Sequence, residues 1–324
     1  MLTVNESNKV YPANVYTPVQ DIWILTSYFN PNRYLSKLKN YELFKHKISS
    51  SGAQLLTVEC AFNHDDFELK SSDDILQIRS QNVMWQKERL LNIAVASLPK
   101  EIKKIAWLDC DILFENPNWI VQTSELLERF PVVQPYETLI RLPKGKTYYE
   151  NEGTEWKSFG YTRTAQPHLS FSGIFSQHGH TGIAWAIQAD IIRKSNFYDT
   201  CLSGNADHLM AHAMCGDFSS PCITKYLGSK GKMRDDFIRW AEPFYESVQG
   251  KIGYIPGNVL HLWHGDKKDR QYIKKSEELK LLDFDPSTDL RLNKNNCWEW
   301  SSKKCELHEW AISFFDSRKE DGVE

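Results

Sequence analysis

The sequence has little glycine and proline, with 16 and 13 of 324 residues, and this excludes collagen-like and low-complexity chains. It contains no stretch of eighteen apolar residues, so it predicts no transmembrane helix. Residues 1–16 have neither the basic region nor the apolar core of a signal peptide. We therefore expect a chain that stays in the cytoplasm.

Cysteine pairs and an excess of positive charge are also lacking. The seven cysteines are an odd number without C-x-x-C spacing, which argues against a disulfide framework or a zinc ribbon and indicates reduced thiols. Lys and Arg number 39 against 42 Asp and Glu, so the net charge of −3 gives no overall basic field for nucleic acid. A local basic groove remains an open alternative.

Apolar runs typical of strands buried on both faces alternate with amphipathic helical stripes along most of the chain. This alternation predicts an α/β fold, with a Rossmann-type, mostly parallel sheet flanked by helices. The predicted strands are residues 22–26, 55–58, 75–78, 105–108, 132–134, 183–187 and 259–263, and the predicted helices are 32–48, 84–98, 119–130 and 205–214.

No internal repeat and no linker divide the chain, so we expect one domain. The predicted organisation is an N-terminal arm over 1–20, the α/β domain over 21–270 and a C-terminal extension over 271–324 packed on it. Residues 143–182 are polar, aromatic and weakly periodic, which is typical of a functional loop.

Asp109 and Asp111 follow directly after a predicted buried strand. Ligands bind at the carboxyl ends of strands in open α/β sheets. Two carboxylates at positions i and i+2 repel each other unless a cation or a ligand hydroxyl lies between them. Hard oxygen ligands suit Mn²⁺ or Mg²⁺, which often also hold substrate phosphates, so this segment predicts a metal site.

A second group of polar residues follows the last predicted strand and contains His261, His264, Lys267, Lys268 and Arg270. Strand alternation would point the two histidines to opposite faces, so only one is expected at the metal, and His264 at the strand end is the favoured ligand. Imidazole beside carboxylate favours Mn²⁺ over Ca²⁺. The basic residues that follow are expected to neutralise a diphosphate.

Residues 201–210 place a glycine turn before Asp207 and His208 at a predicted helix start. Such a turn can present a carboxylate at the mouth of a cleft, although Asp is also a common helix cap. Residues 178–182 resemble a metal site, but two histidines flanked by glycines are poorly preorganised, and we interpret them as part of a flexible acceptor loop. Trp185 and Trp263 adjoin the predicted cleft and are candidates for ring contact with a ligand.

Together these clusters resemble the GT-A class of nucleotide-sugar glycosyltransferases over residues 20–270. The run from Trp85 to Asn92, followed by a helix and then Trp107 to Asp111, is similar to that class's K-x-x-x-x-N and hydrophobic D-x-D pattern. Residues 182–207 are similar to its acceptor-side block, in which a glycine and aromatic strand precedes an acidic element. His264-Gly265 is similar to its late metal histidine.

The resemblance implies a role for each matching position. Asp109, Asp111 and His264 would form the site of Mn²⁺ (or Mg²⁺), with Asp109 also near the ribose. Asp207 would be the general base, with His208 as a residue that could share the role. The nucleotide-sugar side of the site would comprise Thr26, Tyr28, Asn30, Glu59, Lys87, Asp109, Trp185, Lys267 and Lys268.

The predicted function is metal-dependent transfer of a sugar from a nucleoside diphosphate sugar, most simply a UDP-sugar, to a hydroxyl acceptor such as a glycan. Asn205-Ala206-Asp207 replaces the commoner acidic pair of inverting members, so inversion is only slightly favoured and a retaining route stays open. The alternatives are a non-catalytic nucleotide-sugar or carbohydrate-binding protein and a transferase acting on hydroxylated DNA bases. Net charge disfavours a nucleic-acid acceptor, and a pyrophosphorylase is disfavoured because 27–33 lacks phosphate-binding glycines.

Overall fold

The strands form two larger sheets and two short ribbons in the computed structural model, which describes residues 2–4, 10–12 and 21–322. The strands are β1 Leu2–Val4, β2 Val10–Pro12, β3 Ile22–Tyr28, β4 Gln54–Phe62, β5 Ile75–Ser80, β6 Lys104–Leu108, β7 Ile112–Phe114, β8 Val132–Gln134, β9 Thr138–Arg141, β10 Thr154–Lys157, β11 Ala184–Gln188, β12 Ile252–Tyr254, β13 Asn258–His261, β14 Leu290–Leu292 and β15 Trp298–Trp300.

Eleven α-helices lie in the described part of the chain. They are α1 Leu35–Ser50, α2 Lys87–Ser97, α3 Trp119–Leu127, α4 Phe159–Ala165, α5 Ala189–Ser195, α6 Ala206–Met214, α7 Pro221–Leu227, α8 Lys232–Val248, α9 Tyr272–Leu281, α10 Pro286–Asp289 and α11 Cys305–Asp316.

The central sheet has seven strands in the order β12-β8-β11-β6-β3-β4-β5. All neighbouring pairs are parallel except those of β11, which runs antiparallel to both β6 and β8. Alternate residues of the buried strands pack on opposite faces. Leu25 and Trp107 face the core that contains α2, α5, α6 and α8, whereas Ile24 and Ala106 face the core that contains α1 and α3. The predicted α/β class with a mostly parallel sheet flanked by helices is therefore confirmed.

A four-stranded sheet in the order β10-β9-β13-β7 lies beside the carboxyl end of β6. Strand β7 begins one residue after Asp111 and pairs antiparallel with β13, so that Ile112 lies opposite His261. This pairing brings the segment after the last predicted strand next to the acidic segment after β6.

The C-terminal extension packs on the main α/β unit through aromatic side chains of α11. Phe315 and Phe314 contact Trp85, with ring centroids 6.3 and 5.6 Å apart, and Phe315 also contacts Phe29 at 6.0 Å. The aromatic residues of the tail thus share the core that covers one face of the sheet. The exact domain boundaries at 20 and 270 stay predictions.

Each predicted strand and helix has a counterpart in the structure, with shifts of a few residues at the ends. The predicted irregular segment 143–182 is more ordered than expected, because it contains β10 and α4. Most of the predicted N-terminal arm, residues 1, 5–9 and 13–20, lies outside the described residues. No helix of the described chain is long and apolar enough to cross a membrane, and all seven cysteines are free thiols.

Candidate active site

A cleft of about 930 Å³ opens where β3 and β6 end. Its size falls within the roughly 300–1,000 Å³ typical of ligand pockets. Ser27 and Phe29 line it on the β3 side, and Asp109 to Asp111 line it on the β6 side. The cleft is therefore at the carboxyl edge of the parallel strands, where α/β folds bind ligands.

Three side chains converge at one end of the cleft. The Nε2 atom of His264 lies 3.3 Å from Asp111 Oδ2, and Nε2 of His261 lies 3.6 Å from Asp111 Oδ1. The two imidazole Nε2 atoms are 2.9 Å apart. One carboxylate and two imidazoles are thus close enough together to share a metal ion.

The expectation that only one of the two histidines would face this point is wrong. Strand β13 ends at His261, and residues 262–264 have no regular secondary structure, so strand alternation does not extend to His264. A hydrogen bond of 2.8 Å from the Leu262 amide to the Asp111 carbonyl holds this segment beside the acidic one. The structure therefore adds His261 to the cluster.

The charged surroundings set the protonation of this cluster. Burial and the Arg270 guanidinium lower the pKa of His264 to about 3, so this ring is neutral at pH 7. Burial raises the pKa of Asp111, but His264 and His261 oppose it and the net pKa falls well below the usual range. Asp111 Oδ1 is buried and accepts no hydrogen bond from any described residue. A carboxylate oxygen of this kind is a ready ligand for a cation.

The C-terminal extension supports the cluster from behind. Arg270 contacts Nδ1 of His264, and Glu320 Oε1 lies 3.2 Å from Arg270 Nη1 and 3.9 Å from His264 Nδ1. A Cβ atom at Gly265 would lie 2.8 Å from the Lys319 carbonyl oxygen, and the residue has φ +93°. Only glycine fits this close approach between the turn and the tail.

A second charged group lies in the same cleft. The Lys87 ammonium is 2.6 Å from Asp109 Oδ1 and 2.6 Å from Asp207 Oδ2, so it bridges the two carboxylates. Burial alone would lower the pKa of Lys87, but the two aspartates raise it well above its ordinary value. The predicted metal-site residue Asp109 is therefore paired with a lysine at the start of α2, and it lies outside the group that Asp111 forms with the histidines.

The predicted diphosphate-binding lysines line the cleft near this end. Lys267 lies over the Trp156 ring at 5.0 Å from its centroid, and Lys268 is exposed with its Nζ 3.4 Å from Asp266. Arg141, which the sequence did not single out, also lines the cleft and lies 3.2 Å from the His180 Nε2 atom. Basic side chains from two segments thus line one cavity.

Four predicted nucleotide-binding residues lie away from the large cleft. Thr26 is fully buried and donates to the Leu108 carbonyl at 2.7 Å. Tyr28, Asn30 and Glu59 line a separate small pocket, where they hydrogen bond to residues 68, 69 and 77. The structure uses these side chains to hold the loop between β4 and β5, and it places Ser27 and Phe29 at the cleft instead.

Trp185 is placed differently from the prediction. Its ring is 1% exposed, stacks on Trp107 with centroids 6.3 Å apart and donates its N–H to the Thr181 carbonyl at 2.7 Å. It is a core residue and has no free face for a ligand. Trp263 does line the cleft, with the Lys144 ammonium 4.6 Å from its ring centroid.

His208 and the segment 178–182 also differ from the prediction. His208 lines the cleft next to Asp207, but it is only 4% exposed, and its Nε2 atom lies 3.3 Å from the Cys222 carbonyl oxygen. His178 and His180 are 0% and 8% exposed. The backbone of Gly179 packs on Ser158 so closely that a Cβ would lie 2.5 Å from the Ser158 carbonyl oxygen, which is incompatible with a flexible loop.

No family model matches the sequence, and no curated protein matches it significantly. Solved structures similar to this chain include nucleotide-diphospho-sugar transferases. Mannosyl-3-phosphoglycerate synthase from Rubrobacter xylanophilus is 7% identical, with a TM-score of 0.39, over 86% of this chain and 83% of that chain. The 4-diphosphocytidyl-2C-methyl-D-erythritol synthase from Anaerococcus prevotii is 13% identical, with a TM-score of 0.36, over 76% and 90%.

The catalytic domain of Drosophila β1,4-galactosyltransferase 7 in complex with xylobiose is 13% identical, with a TM-score of 0.25, over 56% of each chain. A mutant of that enzyme has been solved with manganese, UDP-Gal and xylobiose.

Proposed function

We propose that this protein is a metal-dependent glycosyltransferase that moves a sugar from a nucleoside diphosphate sugar, a UDP-sugar in the simplest case, to a hydroxyl acceptor. The observation that carries this proposal is the convergence of Asp111, His261 and His264 at one end of a basic cleft. Separate segments contribute one carboxylate and two imidazoles to one point.

The donor set fits Mn²⁺ or Mg²⁺ and fits Mn²⁺ better, because imidazole and carboxylate together favour a transition metal over a harder cation. Asp111, His261 and His264 would hold the ion, and Arg270 and Glu320 lie behind His264, with the Arg270 guanidinium in contact with its Nδ1 atom and Glu320 Oε1 3.9 Å from that atom. A bound divalent cation supplies Lewis-acid neutralisation of the diphosphate leaving group.

The basic side chains provide the rest of the diphosphate site. Lys267, Lys268 and Arg141 line the cleft and can donate charge-assisted hydrogen bonds to phosphate oxygens. Their positive charge opposes the negative charge that grows on the leaving group as the glycosidic bond breaks, which lowers the barrier. Trp263, whose ring lines the same cavity, offers an apolar face for a ring of the donor.

Asp207 is the proposed general base. Its carboxylate lines the cleft, and the Lys87 ammonium at 2.6 Å helps to hold it in position. An acceptor hydroxyl within hydrogen-bond reach would pass its proton to Asp207 as it attacks the anomeric carbon. A single base on the acceptor side suits an inverting reaction. Asp109, on the other side of Lys87, then faces the donor.

The test is UDP release by the purified chain from a panel of UDP-sugars, with Mn²⁺ or with a chelator. We expect release with Mn²⁺ and loss of release with the chelator. In a parallel thermal-shift assay, UDP together with Mn²⁺ should raise the melting temperature of the protein, because a ligand that binds only the folded state stabilises it. Stabilisation by UDP-sugars without any turnover would instead identify a binding protein, and no stabilisation by any nucleotide would reject the proposal.

A further inference from the structure

A second cluster of metal-ligating side chains lies beneath the acceptor side of the cleft. It consists of His178, His208, His212 and Cys222, all four of which are buried. One potential ligand atom from each lies within 4.8 Å of the other three. The imidazole centroids are 4.5 Å apart for His208 and His212, and 5.2 and 5.3 Å from His178 to these two.

The local fold brings these residues together from three segments. His208 and His212 are four residues apart on α6, which puts both rings on one face of that helix. Cys222 is the second residue of α7, and His178 precedes β11. Four ligands from a helix, a second helix and a loop form a closed shell, which is typical of a structural metal site.

One nitrogen of each imidazole is already committed as a donor. Nδ1 of His178 lies 2.7 Å from the Gly179 carbonyl oxygen, and Nε2 of His208 lies 3.3 Å from that of Cys222. Nδ1 of His212 lies 2.7 Å from the Asp217 carboxylate. Since a carbonyl or carboxylate can only accept, each of these nitrogens carries the proton, and the other ring nitrogen presents a lone pair.

Those other nitrogens have few partners. His178 Nε2, His208 Nδ1 and His212 Nε2 are buried, and within the described chain the side chains of His178 and His212 interact here only with the Cys222 thiol. Buried lone pairs are costly when nothing satisfies them. Three converging imidazole lone pairs beside a thiol have the chemistry to ligate a cation.

We propose that His178, His208, His212 and Cys222 bind a structural Zn²⁺ ion that is separate from the metal at Asp111. Tetrahedral zinc with Zn–N near 2.0–2.1 Å and Zn–S near 2.3 Å holds three nitrogens and one sulfur about 3.3–3.6 Å apart, so a small inward movement of these side chains closes the site. Three imidazoles and a thiolate suit zinc rather than Mn²⁺ or Mg²⁺, which prefer oxygen ligands. The Asp217–His212 bond supplies the outer carboxylate that commonly orients a zinc histidine.

The ion would tie the acceptor side of the cleft together. His178 is two residues from His180 and four from Gly182, both of which line the cleft, and His208 follows Asp207 directly. The zinc would therefore fix the loop before β11 against the helix that carries the proposed base. This role is independent of the reaction, and the site can be tested whether or not the chain transfers sugars.

The test is metal analysis of the full-length protein, expressed without an affinity tag that binds metal and dialysed before mass spectrometry of its metals. We expect about one zinc per chain, and release of this zinc by a strong chelator with a fall in melting temperature. Cobalt substitution should give visible absorption bands and a thiolate-to-cobalt charge-transfer band, because Cys222 supplies the sulfur ligand. A wild-type chain that neither retains nor takes up zinc would overturn the proposal.

Variants then assign the ligands. Cys222→Ser should lose the zinc, whereas Cys215→Ser, a free cysteine nearby at the end of α6 and outside the cluster, should keep it. Asp217→Asn should retain zinc but weaken its affinity by roughly 10–100-fold, since Asp217 acts through His212. If Cys222→Ser does not fold, the charge-transfer band of the wild-type cobalt protein decides the point. Zinc content or a cobalt spectrum unchanged in Cys222→Ser contradicts the proposal.

Discussion

The carboxylate of Asp111 and the imidazole of His264 face each other across the end of the cleft, with Oδ2 and Nε2 3.3 Å apart. The antiparallel pairing of β7 with β13 produces this contact, because it aligns the residues just after β6 with the end of β13. His261 completes the group from the last position of that strand. The proposed metal site thus depends on a small second sheet as well as on the central one.

Asp111→Asn keeps the side-chain shape but removes the anionic ligand. We expect Mn²⁺-dependent UDP release to fall by more than about 100-fold, since even loss of an outer-shell partner costs metal sites 10–100-fold. The melting temperature without metal should stay close to that of the wild type. Asp266→Asn is the matched control, because Asp266 lines the same cleft but is exposed. An equal loss of UDP release in both variants would show that Asp111 has no special role in metal binding.

Asp207→Asn tests the proposed base. We expect kcat to fall by about 10²–10⁴-fold, the usual contribution of general base catalysis, with little change in the affinity for Mn²⁺ and UDP. Glu277→Gln changes another carboxylate in the cleft lining and should leave kcat unchanged. A loss of less than about tenfold in Asp207→Asn would speak for a retaining route, in which Asp207 is not the base.

Trp185 and Trp263 should respond differently to truncation. Trp185→Ala removes a buried ring stacked on Trp107, so we expect the free energy of unfolding to fall by about 3–5 kcal/mol. Trp263→Ala should leave stability nearly unchanged and raise KM for the donor, because this ring lines the cleft. Urea denaturation and steady-state kinetics of the two variants measure both effects. A stable Trp185→Ala with a raised KM would contradict the core assignment.

Glu88 should make stability depend on pH. Burial raises its pKa to about 8, with Lys87 opposing and Asp207 adding to the shift. The folded protein thus keeps this proton up to about pH 8, whereas the unfolded chain loses it near pH 4.3. Between these values the unfolded state binds fewer protons, so the free energy of unfolding falls as pH rises, by up to about 1.4 kcal/mol per pH unit.

Glu88→Gln keeps the acceptor for the Trp85 N–H but has no proton to lose. Denaturation at pH 5.5, 6.5 and 7.5 should show the variant gaining stability relative to the wild type as pH rises. Glu42→Gln, which changes an exposed side chain of α1, should follow the wild type at every pH. Parallel curves for wild type and Glu88→Gln would mean that Glu88 is ionised in the folded state.

Local sequence patterns predicted the central sheet well, because strands buried on both faces need long apolar runs such as residues 22–26 and 105–108. They also indicated Asp111 and His264, since polar residues after such strands lie at the ligand-binding edge. The elements inside 143–182 were not predicted, because β10 is largely exposed and α4 is short. Such elements depend on tertiary pairing more than on their own periodicity.

Other parts of the site required knowledge of contacts between distant segments. The place of Glu320 beside Arg270 follows from the docking of the C-terminal extension, which no local pattern encodes. Trp185 was predicted at the cleft because its strand adjoins it. A strand next to a cleft still directs alternate side chains into the core, and Trp185 is one of these. The available signals for the cluster of His178, His208, His212 and Cys222 were the histidine spacing on α6 and the histidines of residues 178–182, which were interpreted as a flexible loop, and their meaning depended on α7.

The most direct test of the proposed catalytic metal site is a titration of the purified protein with Mn²⁺ in the presence of UDP. Electron paramagnetic resonance measures the free ion at each step. We expect one bound ion per wild-type chain, binding at least about tenfold weaker in His261→Ala and in Asp111→Asn, and wild-type binding in His46→Ala, which changes an exposed histidine of α1. Equal Mn²⁺ affinity in all four proteins would show that these side chains hold no catalytic metal.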